Sequence, residues 1–141
     1  QLALYVVLYS PIQMVDALPE HYAVHRDAFQ FIQDVAVDWA ETRVLNGEVG
    51  DYVTMVRKDR NSEQWFLGSL TDEHGRVLSV PLSFLTPGKT YRAEIYRDGD
   101  DAHYVENRFA FVVESHDVTS ADTLTIRLAP GGGQAIRFAP R

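Results

Sequence analysis

Near residue 36 the hydrophobic repeat of this chain changes period, and that change limits what it can fold into. Downstream, Tyr52, Thr54 and Val56 alternate with Val53, Met55 and Arg57, and Trp65, Leu67 and Ser69 alternate with Phe66, Gly68 and Leu70. A period of two belongs to strands with one face turned inward. Further runs cover Val77 to Leu82, Tyr91 to Tyr96, Phe109 to Glu114, Leu124 to Leu128 and Ala135 to Phe138, and Glu41 to Leu45 can be added. Between them stand Asp-Glu-His-Gly, Thr-Pro-Gly-Lys, Asp-Gly-Asp-Asp, Thr-Ser-Ala-Asp and Pro-Gly-Gly-Gly, residue types that close turns. Short strands without crossover helices predict a mainly β fold over residues 36–141, an antiparallel two-layer β-sandwich of about eight strands.

Residues 1–35 follow another plan. Gln1 to Ser10 is apolar almost all round, which suits a helix or strand packed on several sides, and Pro11 ends it. Ile12-Gln13-Met14-Val15 reads as a short buried strand and Asp16-Ala17-Leu18-Pro19 as a turn. From Pro19 to about Val35 apolar residues recur every three to four positions, predicting a helix with Pro19 in its first turn. The uncharged run from Gln1 to Val15 is interrupted by Pro11 and Gln13 and is shorter than the roughly 20 residues a membrane helix requires. Burial against protein explains it better, and no membrane span is expected. A start at Gln1 without a basic n-region reads as a piece cut from a longer protein.

Charge and composition narrow the function. A net charge of -7 disfavours nucleic acid, whose phosphates need clustered Lys and Arg. The absence of cysteine excludes disulfides and thiolate metal sites. Neutral ligands such as sugars stay open.

The residue groups that invite a chemical reading each have a plainer one. Asp72 and Glu73 fall in a turn, where solvated charge is ordinary. Asp98-Gly99-Asp100-Asp101 is rich in oxygen, yet lacks the spacing and distal Glu of a calcium loop, so a hairpin turn is expected. His21 and His25 stand four apart, but His-Tyr-Ala-Val-His lacks the Glu of a zinc-protease helix, and surface positions are expected. Trp39, Trp65 and Tyr104 could stack on sugar rings; alternation places Trp65 inside, whereas Tyr104 sits in a loop. Gly131-Gly132-Gly133 precedes a strand and lacks the phosphate-cradle spacing, so a flexible turn suffices.

The stretches Tyr9-Ser10-Pro11-Ile12-Gln13-Met14, Phe29-Gln30-Phe31-Ile32, Trp39 through Asp51, Ile95-Tyr96-Arg97-Asp98-Gly99 and the run from Leu128 through Gly131-Gly132-Gly133 to Arg137 together resemble the C-terminal region of glycoside hydrolase family 97. Asp16 stands one residue earlier than the family's acid before Leu-Pro, and Ala40 stands where the family has an acid. The family pairs a catalytic (β/α)8 barrel with β domains on either side. The resemblance therefore implies that residues 1–35 are an α/β remnant of the C-terminal end of that barrel and that 36–141 are the C-terminal β-sandwich. It implies a parent exo-α-glycosidase, an α-glucosidase or α-galactosidase, dependent on calcium, acting on oligosaccharides in the periplasm. The catalytic carboxylates and calcium ligands would lie upstream, so this piece is expected to have no catalytic residue, no metal and no cofactor, and to be inactive alone. Gln13 and Met14 are the candidates for the wall of the substrate pocket, since ends of barrel strands face substrate. The expected partner is the upstream barrel, supported by the sandwich. A carbohydrate-binding module and a protein-interaction domain are the alternatives. Without the barrel, residues 1–15 should fold onto the sandwich or pair two copies.

Overall fold

The computed structural model describes residues 1–15, 20, 25–107 and 109–141. Among the described residues the helices α1 (Leu4–Val7) and α2 (Arg26–Asp34) precede eight strands. The strands are β1 (Trp39–Glu48), β2 (Tyr52–Asp59), β3 (Trp65–Thr71), β4 (Arg76–Pro81), β5 (Tyr91–Asp98), β6 (Phe111–Val118), β7 (Thr123–Leu128) and β8 (Gly133–Pro140). Every strand pairing is antiparallel, as the turn-separated alternation predicts. The layers are unequal: six strands form one sheet in the order β1-β2-β3-β8-β5-β6, and β4 pairs with β7 alone.

One face of the large sheet meets the β4-β7 pair. There Val56, Leu67, Ala93, Ile95, Ile136 and Phe138 pack with Val80, Leu82, Phe84, Ile126 and Leu128. Trp65 lies in this core, as its alternation predicts, with Phe84 at 5.2 Å between ring centroids. The only hydroxyl pair described inside it, Thr54 and Ser69, satisfies itself at 2.7 Å across β2 and β3.

The outer face is covered by the segment that precedes the sandwich. Ala3, Val6, Phe31 and Val35 pack on Trp39, Phe66, Tyr96 and Ala135, with Phe31 meeting Phe66 and Tyr96 edge-on at 6.2 and 5.2 Å. Gly68 makes the approach of α1 possible: a Cβ there would stand 2.7 Å from the Ala3 carbonyl oxygen and 2.9 Å from Val6 Cβ. Of the apolar residues expected to fold onto the sandwich, Val6 does so fully, Leu2 and Val7 in part, and Leu4 and Leu8 stay exposed.

One expectation is corrected. Among the described residues 1–35 contain helix and no strand, so the α/β barrel remnant is not present as such. Ile12 to Val15, read as a buried strand, is irregular, with Ile12 73% and Met14 84% exposed. A strand needs a neighbour to take its N–H and C=O groups, and no described strand runs beside this one. Its polar groups are met locally, the Met14 carbonyl by Tyr5 Oη at 3.2 Å. The turn expected at 16–19 and, Glu20 apart, which is helical, the first part of the helix expected from Pro19 lie outside the described residues.

Candidate functional site

Two depressions in the surface have polar walls. The first, about 620 Å³, lies beside α2 on the outer face, between Gln30 and Asp34 of the helix, Arg92, Glu94 and Tyr96 of β5, Val113, Glu114 and Ser115 of β6, and Arg137 of β8. Antiparallel register brings these together, because Arg137 stands opposite Glu94 and Tyr96 opposite Val113. Arg137 Nη1 donates to Asp34 Oδ2 at 2.9 Å and to Glu94 Oε2 at 3.2 Å, while its Nε donates to Gln64 Oε1 at 2.7 Å. Glu114 is directed to Arg97 Nε at 3.0 Å. Burial, then the nearby Glu94 and Asp34 carboxylates, push the Tyr96 phenol up, so it stays neutral. Glycoside hydrolysis needs one carboxyl that donates a proton and one that attacks or activates water. Here each carboxylate is held by a guanidinium, an arrangement that ties helix to sheet and leaves no acid poised for transfer.

The second depression, about 560 Å³, lies between the β1-β2 hairpin and the end of β3, lined by Glu48, Asp51, Tyr52, Thr71 and Asp72 among others. Arg76 controls it: the guanidinium sits 4.9 Å from the Tyr52 ring centroid, binds Asp72 and reaches Asp51 at 3.3 Å. The Arg76 side chain, and after it the His74 backbone N–H, hold the Asp72 carboxyl well below the usual range. Asp72, Glu73 and His74 have ligand atoms within 4.8 Å of one another. Calcium takes six to eight oxygens; this group offers the Asp72 carboxylate already bound by Arg76, the exposed Glu73 carboxylate and a ring nitrogen, and does not fit that ion.

The sequence candidates are scattered. Gln13 spends its amide N–H groups on the carbonyls of Tyr5 and Ser10, at 3.3 and 3.4 Å, and the Met14 side chain is exposed; neither lines the two depressions. Trp39 belongs to the outer-face core and Trp65 to the inner one, while Tyr104 is 52% exposed and stacked on His103, so the three form no sugar platform. His25 packs edge-on against Phe111 at 5.7 Å; His21 lies outside the described residues. The carboxylates of the acidic turn diverge: Asp98 accepts backbone N–H groups of Ala129 and Gly133, Asp100 meets Arg97 and Asp101 meets Asn107. The triple glycine is a packed turn, with Gly131 at φ 67° and its N–H on the Asp72 carbonyl, and so is more constrained than a flexible connection. Sequence reasoning missed Arg137 and Arg57. Both are cations within apolar strand runs, Ala-Ile-Arg-Phe and Val-Thr-Met-Val-Arg, which was the available signal.

Residues 38–139 match the family described as glycosyl-hydrolase 97 C-terminal, oligomerisation. The chain belongs to this family. Among curated proteins this family 97 domain is 36% identical over 138 residues to a retaining alpha-galactosidase of Bacteroides thetaiotaomicron, covering 98% of the chain and 20% of that protein. It is 29% identical over 135 residues to a probable retaining alpha-galactosidase of Streptomyces bingchenggensis, covering 96% of the chain and 19% of that protein. It thus spans about a fifth of the length of these relatives. Among solved structures, a glycoside hydrolase family 97 enzyme from Pseudoalteromonas sp. strain K8 in complex with acarbose superposes with a TM-score of 0.97 at 47% identity, over 99% of this chain and 22% of that one. A beta-arabinopyranosidase, 24% identical over 97% of the chain and 20% of its own, has a TM-score of 0.75 and shares the fold.

Proposed function

We propose that this family 97 domain is the non-catalytic support of a calcium-dependent exo-α-glycosidase of the periplasm, an α-galactosidase or α-glucosidase acting on oligosaccharides. Chemistry would reside in an upstream barrel. Residues 1–35 would form the seam by which the sandwich holds that barrel, with Gln13 and Met14 at the edge that faces its pocket. The observation that carries the reading is the structural likeness over 99% of this chain to a family 97 enzyme, together with clefts in which Asp34, Glu94, Glu114, Asp51 and Asp72 are bound to Arg137, Arg97 and Arg76. Leu8, Tyr9, Ile12 and Met14, at 60 to 84% exposure, supply the apolar surface for such a seam. In the isolated chain the same surface would draw copies together; the oligomerisation in the family's description belongs to residues 38–139 and not to this segment.

Titration with melibiose, maltose and starch tests support against sugar binding. A support domain gives no saturable heat and releases no 4-nitrophenol from 4-nitrophenyl α-galactoside or α-glucoside. Saturable heat would favour a carbohydrate-binding module, and turnover would contradict the reading altogether. Light scattering on the same sample reports association through residues 1–15.

A further inference from the structure

Arg57 is a buried cation with no carboxylate partner among the described residues. The residue is 5% exposed and stands opposite Phe66 on the outer face of the large sheet. Its Nη2 donates to the Val7 carbonyl at 3.2 Å and lies 3.8 Å from Met55 Sδ. Its guanidinium carbon is 5.7 Å from the ring centroids of both Tyr9 and Trp39. Nε finds no acceptor, and neither does the indole Nε1 of Trp39 beside it. Burial pushes the guanidinium pKa down. The other cations of the outer face and its rim are held differently: Arg137 has Asp34 and Glu94, and Arg97 has Glu114.

Buried charges are retained where an opposite charge and hydrogen bonds compensate them. One carbonyl and two ring faces compensate this one in part. Both orphan donors lie closed beneath the surface in the isolated chain, and a carboxylate admitted as the Tyr9 ring at the rim moves aside would satisfy them and neutralise the cation, whereas water would leave it charged. Tyr9, 70% exposed, forms the rim, and the exposed Leu8, Ile12 and Met14 continue it along the chain. We propose that Arg57, with the Trp39 indole N–H, is the receptor for a carboxylate carried by the catalytic portion of the intact enzyme, which covers residues 7–14. The inference rests on the support role proposed above. The catalytic portion is favoured over a second copy by continuity, since residues 7–14 lie on the side of the chain that leads into it. The Pseudoalteromonas enzyme also keeps this chain's arrangement within a polypeptide of which it is 22%.

The test compares Arg57→Met, of similar length and apolar, in the 141-residue chain and in the intact enzyme, by melting temperature and by proteolysis at the seam. In the chain the substitution removes an uncompensated buried cation, and the melting temperature is expected to hold or rise. In the intact enzyme it removes one half of an ion pair, and the domain is expected to melt lower by about 3 °C or more and to be cleaved faster within residues 7–15. Equal losses in both would reduce Arg57 to a cap for the Val7 carbonyl and overturn the proposal. No loss in the intact enzyme would overturn it too, as would a changed association state confined to the chain, which would assign the carboxylate to a second copy. Arg57→Gln removes the charge and keeps an N–H donor for the Val7 carbonyl, and serves by the same asymmetry if the Met variant does not fold. An intact enzyme that ignores Arg57 yet is destabilised by loss of the whole sandwich would refute this contact and spare the support role.

Discussion

Asp98 at the end of β5 holds Gly133 at the start of β8: one carboxylate oxygen, Oδ2, accepts the Gly133 N–H at 3.0 Å and the Ala129 N–H at 3.0 Å. Gly132 between them has no room for a side chain, because a Cβ there would overlap that same oxygen. The triple glycine therefore closes on a fixed acceptor, and Tyr104 packs over its other side, where a Cβ on Gly131 would meet Tyr104 Cβ at 2.9 Å.

Gly132→Ala is accordingly expected to cost about 1–3 kcal/mol, the range for forcing extra atoms into a packed site. Urea denaturation of the two proteins reads it directly. A neutral effect would mean that the turn yields where the structure leaves no space.

Two carboxylates give opposite dependence on pH. Asp98 has its pKa raised, by burial first and against the pull of the Ala129 and Gly133 N–H groups, so the folded state binds its proton more tightly than the unfolded state. Its contribution is fully present below the unfolded carboxylate range and is lost as pH rises through the folded value. Asp72 has its pKa lowered, by Arg76 first; its contribution is present above the unfolded range and is lost as pH falls. Asp98→Asn retains an acceptor oxygen, and near neutral pH it is expected to match or exceed the parent, with the parent gaining on it towards pH ~4. Arg76→Gln is expected to lose stability at neutral pH and converge with the parent in acid. Melting curves from neutral pH to about pH 4 check the Asp98 sign, and their continuation down to about pH 2 checks the Asp72 sign.

Gly68→Ala sets a methyl against the Ala3 carbonyl and Val6, so α1 is expected to lift from β3 while the inner core stays intact. Limited proteolysis should then cut within residues 1–15 at a protease level that spares the parent. A variant as resistant as the parent would place α1 less tightly than Gly68 requires.

Phe31→Ala removes the fully buried ring that α2 inserts between Phe66 and Tyr96. Loss of such a ring costs about 3–5 kcal/mol when the site cannot collapse, and the lower end is expected because one helix can peel away alone. Hydrogen exchange should report faster exchange in 26–34 than in β3 or β8.

The sandwich was legible because alternation and turn chemistry agree with each other in strands such as β5 and β7, where polar and apolar residues take turns. β6 was displaced in the reading, from Phe109–Glu114 to Phe111–Val118. It pairs on one side alone and has a single buried residue, Val118, which leaves no clear face for a pattern to mark. The unequal layers were not read, although β3 carried the sign: Trp65 through Ser69 are buried without interruption, and a strand covered on both faces reads as a continuous apolar run. The second cover is the preceding segment itself, whose Phe31 and Val6 needed a partner that alternation in the strands could not name. Ile12-Gln13-Met14-Val15 misled for the converse reason, since a four-residue run with three apolar side chains cannot say whether a neighbouring strand exists. The arginine pairs of the clefts lay beyond reach, because Arg137 joins Asp34 and Glu94 from three separate elements.

The support role is tested most directly by the intact enzyme with and without residues 38–139. The shortened enzyme is expected to melt at a lower temperature and to aggregate sooner, while its folded fraction turns over 4-nitrophenyl glycoside with a kcat within about twofold of the intact enzyme, as for loss of a part that does not touch the transition state. A kcat lower by orders of magnitude at a temperature where the shortened enzyme remains folded would place chemistry in this domain and contradict the account.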